Sequence, residues 1–110
     1  MAHHRSSYRR YDGDEVLPSG ISISGVFRSL AGRAAIVRRD DPVIPWVSRV
    51  ADAVFQRMKA DAEGDLERLR LAEEEYSSIV EEASETAERW KEEGRPDLVR
   101  RLSLLLKTPL

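Results

Sequence analysis

The fold of this chain is decided by residues 45–94, which read PWVSRVADAVFQRMKADAEGDLERLRLAEEEYSSIVEEASETAERWKEEG. Along this stretch, apolar side chains recur every three or four residues from Val47 to Trp90. The mean spacing of about 3.6 residues is the period of an α-helix. The stretch therefore predicts a long amphipathic helix over about 45–93, whose apolar stripe must bury against another helix or another protein.

Prolines and glycines mark the two ends of this predicted helix. Pro45 suits a first helical turn, where its missing N–H would be unpaired anyway. Residues 40–44, with Pro42, predict a stiff extended segment leading into it, because proline disfavours helical backbone in the residue before it. At the other end, Gly94 followed by Pro96 is a strong stop signal.

Gly64 is the one position inside the predicted helix at which the helix could break. The spacing from Ala62 to Leu66 keeps the apolar stripe in phase across it, which favours a continuous helix of ~70 Å at 1.5 Å per residue. The alternative is that Gly64 ends one helix and Asp65 caps a second one, so that the two halves fold back as a hairpin. In that case the chain would form a free-standing three-helix bundle.

The flanking segments complete an all-α prediction. Residues 97–106 predict a short C-terminal helix, too short to be stable unless it packs. Residues 21–44 predict a short helix near 25–37, with Ser24 as its N-cap, and a proline-containing linker. Residues 1–20 show no period and predict a disordered or extended arm that orders on a partner. The chain thus divides into an arm (1–20), a short helix with linker (21–44) and a helical, coiled-coil-like domain (45–110).

A continuous helix of this length has a direct consequence for function. The short flanking segments cannot cover a ~70 Å stripe, and leaving a dozen apolar side chains in water is costly at roughly 25 cal/mol per Å². The leading hypothesis is therefore a non-enzymatic structural or assembly subunit that docks on protein partners or forms a homo-oligomer. The predicted partner-binding residues are Val47, Ala51, Val54, Met58, Leu66, Leu69, Tyr76, Ile79, Val80, Ala83, Trp90, Leu98, Leu102 and Leu105.

Other classes of function find little support in the composition. The chain has no cysteine, which excludes disulfide scaffolds and thiolate chemistry, and it contains no glycine-rich phosphate loop or nucleophile elbow. His3 and His4, the only histidines, and the Glu73–Glu75 run are expected to be solvated rather than metal-binding. We expect no enzyme activity, cofactor or metal. Without a secretory signal or an apolar run of roughly 20 residues, a cytoplasmic or virion-internal location is expected, with no membrane contact.

Charge is distributed unevenly along the chain. Residues 1–60 hold ten basic against six acidic residues, residues 61–93 four against thirteen, and residues 94–110 four against one. This layout favours head-to-tail or antiparallel self-association, or a partner of matching polarity. The alternative hypothesis is a small helical regulator that binds nucleic acid or the transcription machinery through its basic N-terminal region. The arginines concerned are Arg5, Arg9, Arg10, Arg28, Arg33, Arg38 and Arg39.

Overall fold

The computed structural model describes residues 15–110, which form four α-helices. They are α1 (Ile23–Arg33), α2 (Ile44–Glu63), α3 (Leu66–Glu92) and α4 (Pro96–Leu106). The all-α class, the helical region over about 45–93 with a possible break at Gly64, and the short C-terminal helix are confirmed. The predicted arm falls mainly on residues 1–14, which lie outside the described residues.

The chain turns back on itself at Gly64, so the favoured continuous helix is wrong and the hairpin alternative is what forms. Gly64 adopts left-handed backbone, with φ 68° and ψ 25°. Its N–H and that of Asp65 bond to the carbonyls of Asp61 and Ala60, at 3.2 and 2.9 Å. The Asp65 carboxylate then caps α3 by accepting the Arg68 N–H at 3.1 Å. These contacts close one helix and open the next within two residues.

The apolar stripe keeps its helical spacing across Gly64, but this spacing does not indicate a continuous helix. Ala62 and Leu66, the two residues that carry the phase, are both exposed, and Leu66 is 76% exposed. The hairpin is instead held by small buried residues near its seam, Ala53 and Ala60 on α2 and Ala72 on α3. Small side chains let two helix backbones approach closely. The longest dimension of the fold is accordingly 43 Å rather than ~70 Å.

The ends of α2, α3 and α4 agree with the proline and glycine signals to within a residue. α2 begins at Ile44 and α3 ends at Glu92. Gly94 follows with φ 71°, and α4 begins at Pro96. The expected extended lead-in to α2 is wrong, however. Residues 34–43 turn repeatedly, and Val43 has helical backbone while its N–H bonds to the Asp41 carboxylate at 2.9 Å.

The short helix α1 starts earlier than predicted and uses a different cap. Ser22, with extended backbone, accepts the Gly25 N–H at 3.0 Å. Ser24, the expected cap, lies inside the helix. The helix ends at Arg33, because Ala35 adopts left-handed backbone with φ 57°.

The segment immediately before α1 is part of the fold rather than of a free arm. Residues 17–21 make a tight turn in which the Leu17 N–H bonds to the Ile21 carbonyl at 2.8 Å. Leu17 is 6% exposed and belongs to the core. Just before this turn, Glu15 forms an ion pair with Lys59 of α2 at 2.6 Å. The prediction of an arm is therefore wrong for residues 15–20.

The core lies where α1 and α4 cover the base of the α2–α3 hairpin. α1 packs mainly on α2, and α4 packs mainly on α3. Between Leu66 and Glu75, by contrast, Ala72 is the only buried residue of α3. The end of the hairpin nearest Gly64 therefore extends beyond the four-helix base. The largest fully buried side chains are Phe55, Ile79, Leu102, Leu105, Leu106, Val43, Val47 and Val50.

Candidate functional site

Most of the predicted partner-binding residues are covered by the chain's own helices. Eight of them are buried in the core, namely Val47, Ala51, Ile79, Ala83, Trp90, Leu98, Leu102 and Leu105. The break at Gly64 is the reason, because folding the stripe in half lets α1 and α4 close over its base. These eight positions have a packing role here and offer no free surface.

The other six predicted residues lie at least partly at the surface. Val54, Met58, Tyr76 and Val80 are half-buried against the core, and Leu69 is half-buried near the hairpin turn. Leu66 is the most exposed of the six. Part of the apolar stripe thus remains uncovered towards the hairpin turn.

Four of these residues line a single groove between α2 and α3, which we call the distal groove. It consists of two adjoining depressions of about 470 and 280 Å³ that share Val54, Arg57 and Glu73. Along α2 it runs from Ala53 to Asp61, about 12 Å at 1.5 Å per residue. Its lining residues are Ala53, Val54, Arg57, Met58, Asp61, Leu69, Ala72, Glu73, Tyr76, Ser77 and Lys107.

Helical spacing explains how the sequence builds the two walls of the distal groove. On α2, Val54 and Met58 are four residues apart and so share one face. On α3, Leu69 and Tyr76 are seven residues apart and also share a face. Leu66 lies one turn before Leu69 on that same side, so the apolar wall continues to the tip of the hairpin.

Tyr76 fixes the inner end of the distal groove. Its hydroxyl donates to the Leu106 carbonyl at 2.9 Å, where α4 ends. Burial raises the pKa of Tyr76, and the nearby Arg33 lowers it by a smaller amount. Lys107 follows directly in left-handed backbone, with φ 56°, and its side chain lines the groove.

Charged residues follow one another in a fixed order along the distal groove. Lys107 stands at the inner end, Arg57 and Glu73 face each other at 3.9 Å in the middle, and Asp61 stands near the hairpin turn. The groove therefore runs from a positive inner end to a negative outer end. An apolar floor with polar ends is the usual form of a surface that binds protein.

A second groove, of about 390 Å³, lies on the opposite side of the hairpin. Ala53 and Ala72 form its apolar floor, and Leu71 is the only large apolar side chain that lines it. Arg68 and Glu75 are among the charged residues that line it, and Glu75 lies 3.9 Å from Arg49. The distal groove, by contrast, is lined by four large apolar side chains, Val54, Met58, Leu69 and Tyr76.

The most buried charges of the described chain serve packing rather than chemistry. Arg101, on α4, donates to Asp41 at 2.7 and 3.3 Å and to the Ala34 carbonyl at 3.3 Å. The Arg101 and Asp41 side chains are 11% and 6% exposed. The hydrogen bond to Asp41 raises the pKa of Arg101. No sequence signal pointed to this pair, because its members are 60 residues apart.

The four described arginines of the predicted basic region are all exposed, but two of them bond to other groups of the chain. Arg33 donates to the Leu105 carbonyl at 3.0 Å and Arg38 pairs with Asp40 at 3.2 Å. Arg28 and Arg39 are exposed, while Arg5, Arg9 and Arg10 lie outside the described residues, as do His3 and His4. Binding of nucleic acid through these arginines stays a prediction.

Comparison of the chain with protein-family models, with curated proteins and with solved structures gives no match. Within residues 15–110, no cluster of three or more acidic or histidine side chains is arranged to hold a metal ion. In the same range, no helix is both long and apolar enough to cross a membrane. The distal groove is the candidate functional site of the described residues.

Proposed function

We propose that this protein is a non-enzymatic assembly subunit that docks a protein in the distal groove. The single observation that carries the proposal is the uncovered end of the apolar stripe. Val54, Met58 and Leu69 line the groove, half-buried, and the exposed Leu66 lies one helical turn before Leu69. The proposal includes no reaction and no cofactor, and it places the protein in the cytoplasm or inside a larger assembly.

The energetics favour an apolar occupant. Full burial of one large apolar side chain stabilises by roughly 1.5–3 kcal/mol, and each of these four is already partly covered or lies at the tip. Completing their burial is therefore worth a few kcal/mol in all, a meaningful part of a micromolar affinity of about 8 kcal/mol. The remainder would come from contacts along the rim.

The dimensions of the distal groove suit a helix. Its length of about 12 Å corresponds to two helical turns, which is the span over which side chains at i, i+3 or i+4, and i+7 anchor a helix in a groove. The parallel rows on α2 and α3 form the two walls. A helical segment of a protein, rather than a flat surface, is the occupant that this shape fits.

Site-specific photo-crosslinking in the native source tests the proposal. A photoreactive phenylalanine analogue replaces Leu69 in the groove or, as a matched control, Val37 in the linker, which is 90% exposed. We expect a discrete covalent adduct from position 69 and none from position 37, with the attached protein identified by mass. Equal labelling at both positions, or no adduct at 69 in a correctly folded variant, would contradict docking in this groove.

A further inference from the structure

We infer that residues 9–14 of this chain dock in the second groove of the α2–α3 hairpin. These residues lie outside the described part of the chain, which begins at Glu15. The second groove and the distal groove lie on opposite sides of the hairpin, so each can be occupied without the other. Three features point to this occupant, namely the place where the described chain begins, the order of charges along the groove and the exposed Leu71 within it.

The described chain begins beside the second groove. The Glu15 carboxylate forms an ion pair with the Lys59 ammonium at 2.6 Å, and the two side chains are only 27% and 25% exposed. Lys59 follows Gln56 by three residues and Asp52 by seven, so the three share one side of α2. Gln56 and Asp52 line the second groove, whereas Val54 on the other side of α2 lines the distal groove. The ion pair therefore delivers the preceding residues to the second groove.

Charges along the second groove change sign from one end to the other. Arg68 lines the end nearest the hairpin turn, where Lys59 adds a second cation. Because α2 and α3 run antiparallel, Asp52 and Glu75 both line the end farther from the turn. Arg68 and Glu75 each have an opposite charge of the chain at 3.8 or 3.9 Å, too far for a hydrogen bond. The groove is thus basic where the chain enters it and acidic beyond.

The segment before Glu15 carries the opposite order. Residues 9–14 read RRYDGD, so the two aspartates are nearest Glu15 and the two arginines are farthest from it. Docked in the second groove, the aspartates lie at its basic end and the arginines at its acidic end. Between them, Tyr11 falls opposite Leu71, which is 49% exposed and is the only large apolar side chain that lines this groove. Tyrosine combines a large apolar ring with a polar hydroxyl, which suits a partly hydrated groove.

The length of the segment fits the groove. Lys59 and Asp52 are about 10 Å apart along α2 at 1.5 Å per residue. The five residues from Glu15 back to Arg10 can span up to about 17 Å when extended, so the arginines reach the acidic end. Because Glu15 is already held on α2, the segment has an effective concentration on the order of millimolar at the groove. A weak intrinsic affinity, on the order of 1 mM, is then enough to fill it half of the time.

Photo-crosslinking of the purified full chain tests the inference. A photoreactive phenylalanine analogue replaces Tyr11, which keeps an aromatic ring at this position and leaves the groove unaltered. We expect an intramolecular adduct that migrates as a monomer on a denaturing gel. Mass spectrometry should place its attachment at Leu71 or Gln56 in the second groove, rather than at Met58 or Glu73 in the distal groove.

Two charge reversals on α3 form a matched pair for the same assay. Glu75 lines the second groove and Glu73 the distal groove, both are exposed, and each lies 3.9 Å from an arginine of α2. At low salt, Glu75→Lys should lower the yield of the adduct roughly threefold or more, because it replaces attraction to the two arginines by repulsion. Glu73→Lys should leave the yield unchanged. Circular dichroism checks that both variants fold.

Several results would overturn docking in the second groove. They are attachment spread equally over both grooves, adducts that join only separate molecules, and no adduct from a correctly folded protein. Equal losses in the Glu75→Lys and Glu73→Lys variants would show unspecific attraction to an acidic helix instead. None of these results changes the outcome expected for crosslinking from Leu69, so the proposed function stands or fails by its own experiment.

Discussion

Replacing Gly64 with alanine distinguishes the hairpin from a continuous helix by the sign of the stability change. In the hairpin Gly64 has φ 68°, and left-handed backbone costs an L-residue with a Cβ about 1–2 kcal/mol. An added Cβ would meet no other atom within 4 Å, so no steric clash adds to that cost. Alanine also restricts the unfolded chain, which offsets about 0.4–1 kcal/mol. We therefore expect Gly64→Ala to lower the free energy of unfolding by about 1 kcal/mol.

A continuous helix predicts the opposite result. There Gly64 would occupy an ordinary helical position, and alanine would raise the free energy of unfolding by about 0.5–1 kcal/mol. Gly32, inside α1, supplies the matched control, because an added Cβ there also meets nothing within 4 Å and its backbone is helical. Gly32→Ala should stabilise the protein by up to about 1 kcal/mol.

Urea denaturation followed by tryptophan fluorescence measures both variants at a protein concentration kept constant throughout. For a domain of this size, a change of 1 kcal/mol corresponds to roughly 4–8 °C in the midpoint of thermal unfolding. The two variants should therefore shift the midpoints of urea and of thermal unfolding in opposite directions. A Gly64→Ala protein that is as stable as the wild type or more stable, with an unchanged denaturant slope, would refute the hairpin.

Two further predictions concern the contacts that attach α4. Arg101→Met leaves the buried Asp41 carboxylate with only a backbone N–H and should cost about 3–5 kcal/mol in the same denaturation assay. Arg100→Met removes only an exposed ion pair and should cost about 0–1 kcal/mol, so equal losses would contradict the assignment. Tyr76→Phe removes the hydrogen bond to Leu106 and should cost about 1 kcal/mol. Because burial raises the pKa of Tyr76, the stability linked to its proton is complete below a pH of about 10 and is lost as the pH rises through the raised pKa. The tyrosinate absorbance titration of the wild type should therefore contain one tyrosine that is missing from the Phe variant and that ionises above the ordinary tyrosine pKa. If the difference between the two titrations instead fell at the ordinary tyrosine pKa, it would be inconsistent with this burial.

Short-range patterns in the sequence determined the helices and most of their ends. A period near 3.6 residues predicts helical backbone, and proline cannot lie within a helix without losing a hydrogen bond. For that reason Pro45, Gly94 and Pro96 predicted helix ends that the structure reproduces to within a residue. The cap of α1 at Ser22 was missed, since Ser24 satisfies the same local rule and the choice between them depends on where Ile23 packs.

The candidate site was only partly predictable, because the sequence pattern does not show which part of the apolar stripe the chain itself covers. The apolar stripe included Val54, Met58, Leu69 and Tyr76, which line the distal groove, but it gave the same weight to residues that the chain buries itself. Burial depends on which helices return to cover the stripe. The charge order from Lys107 to Asp61 had no sequence signature either, because it joins the end of α4 to the end of α2.

Residues 45–94, taken alone, determined that this part of the chain is helical and that one face of it must be buried. They did not determine what buries it. Glycine lacks a Cβ and adopts right- and left-handed backbone at similar cost, so at Gly64 the local energies of a straight helix and a turn are close. The tertiary structure decided between them, because only the hairpin lets α1 and α4 close over the base of the stripe and the Arg101–Asp41 pair form. Long-range packing thus covers most of the stripe and leaves the distal groove open.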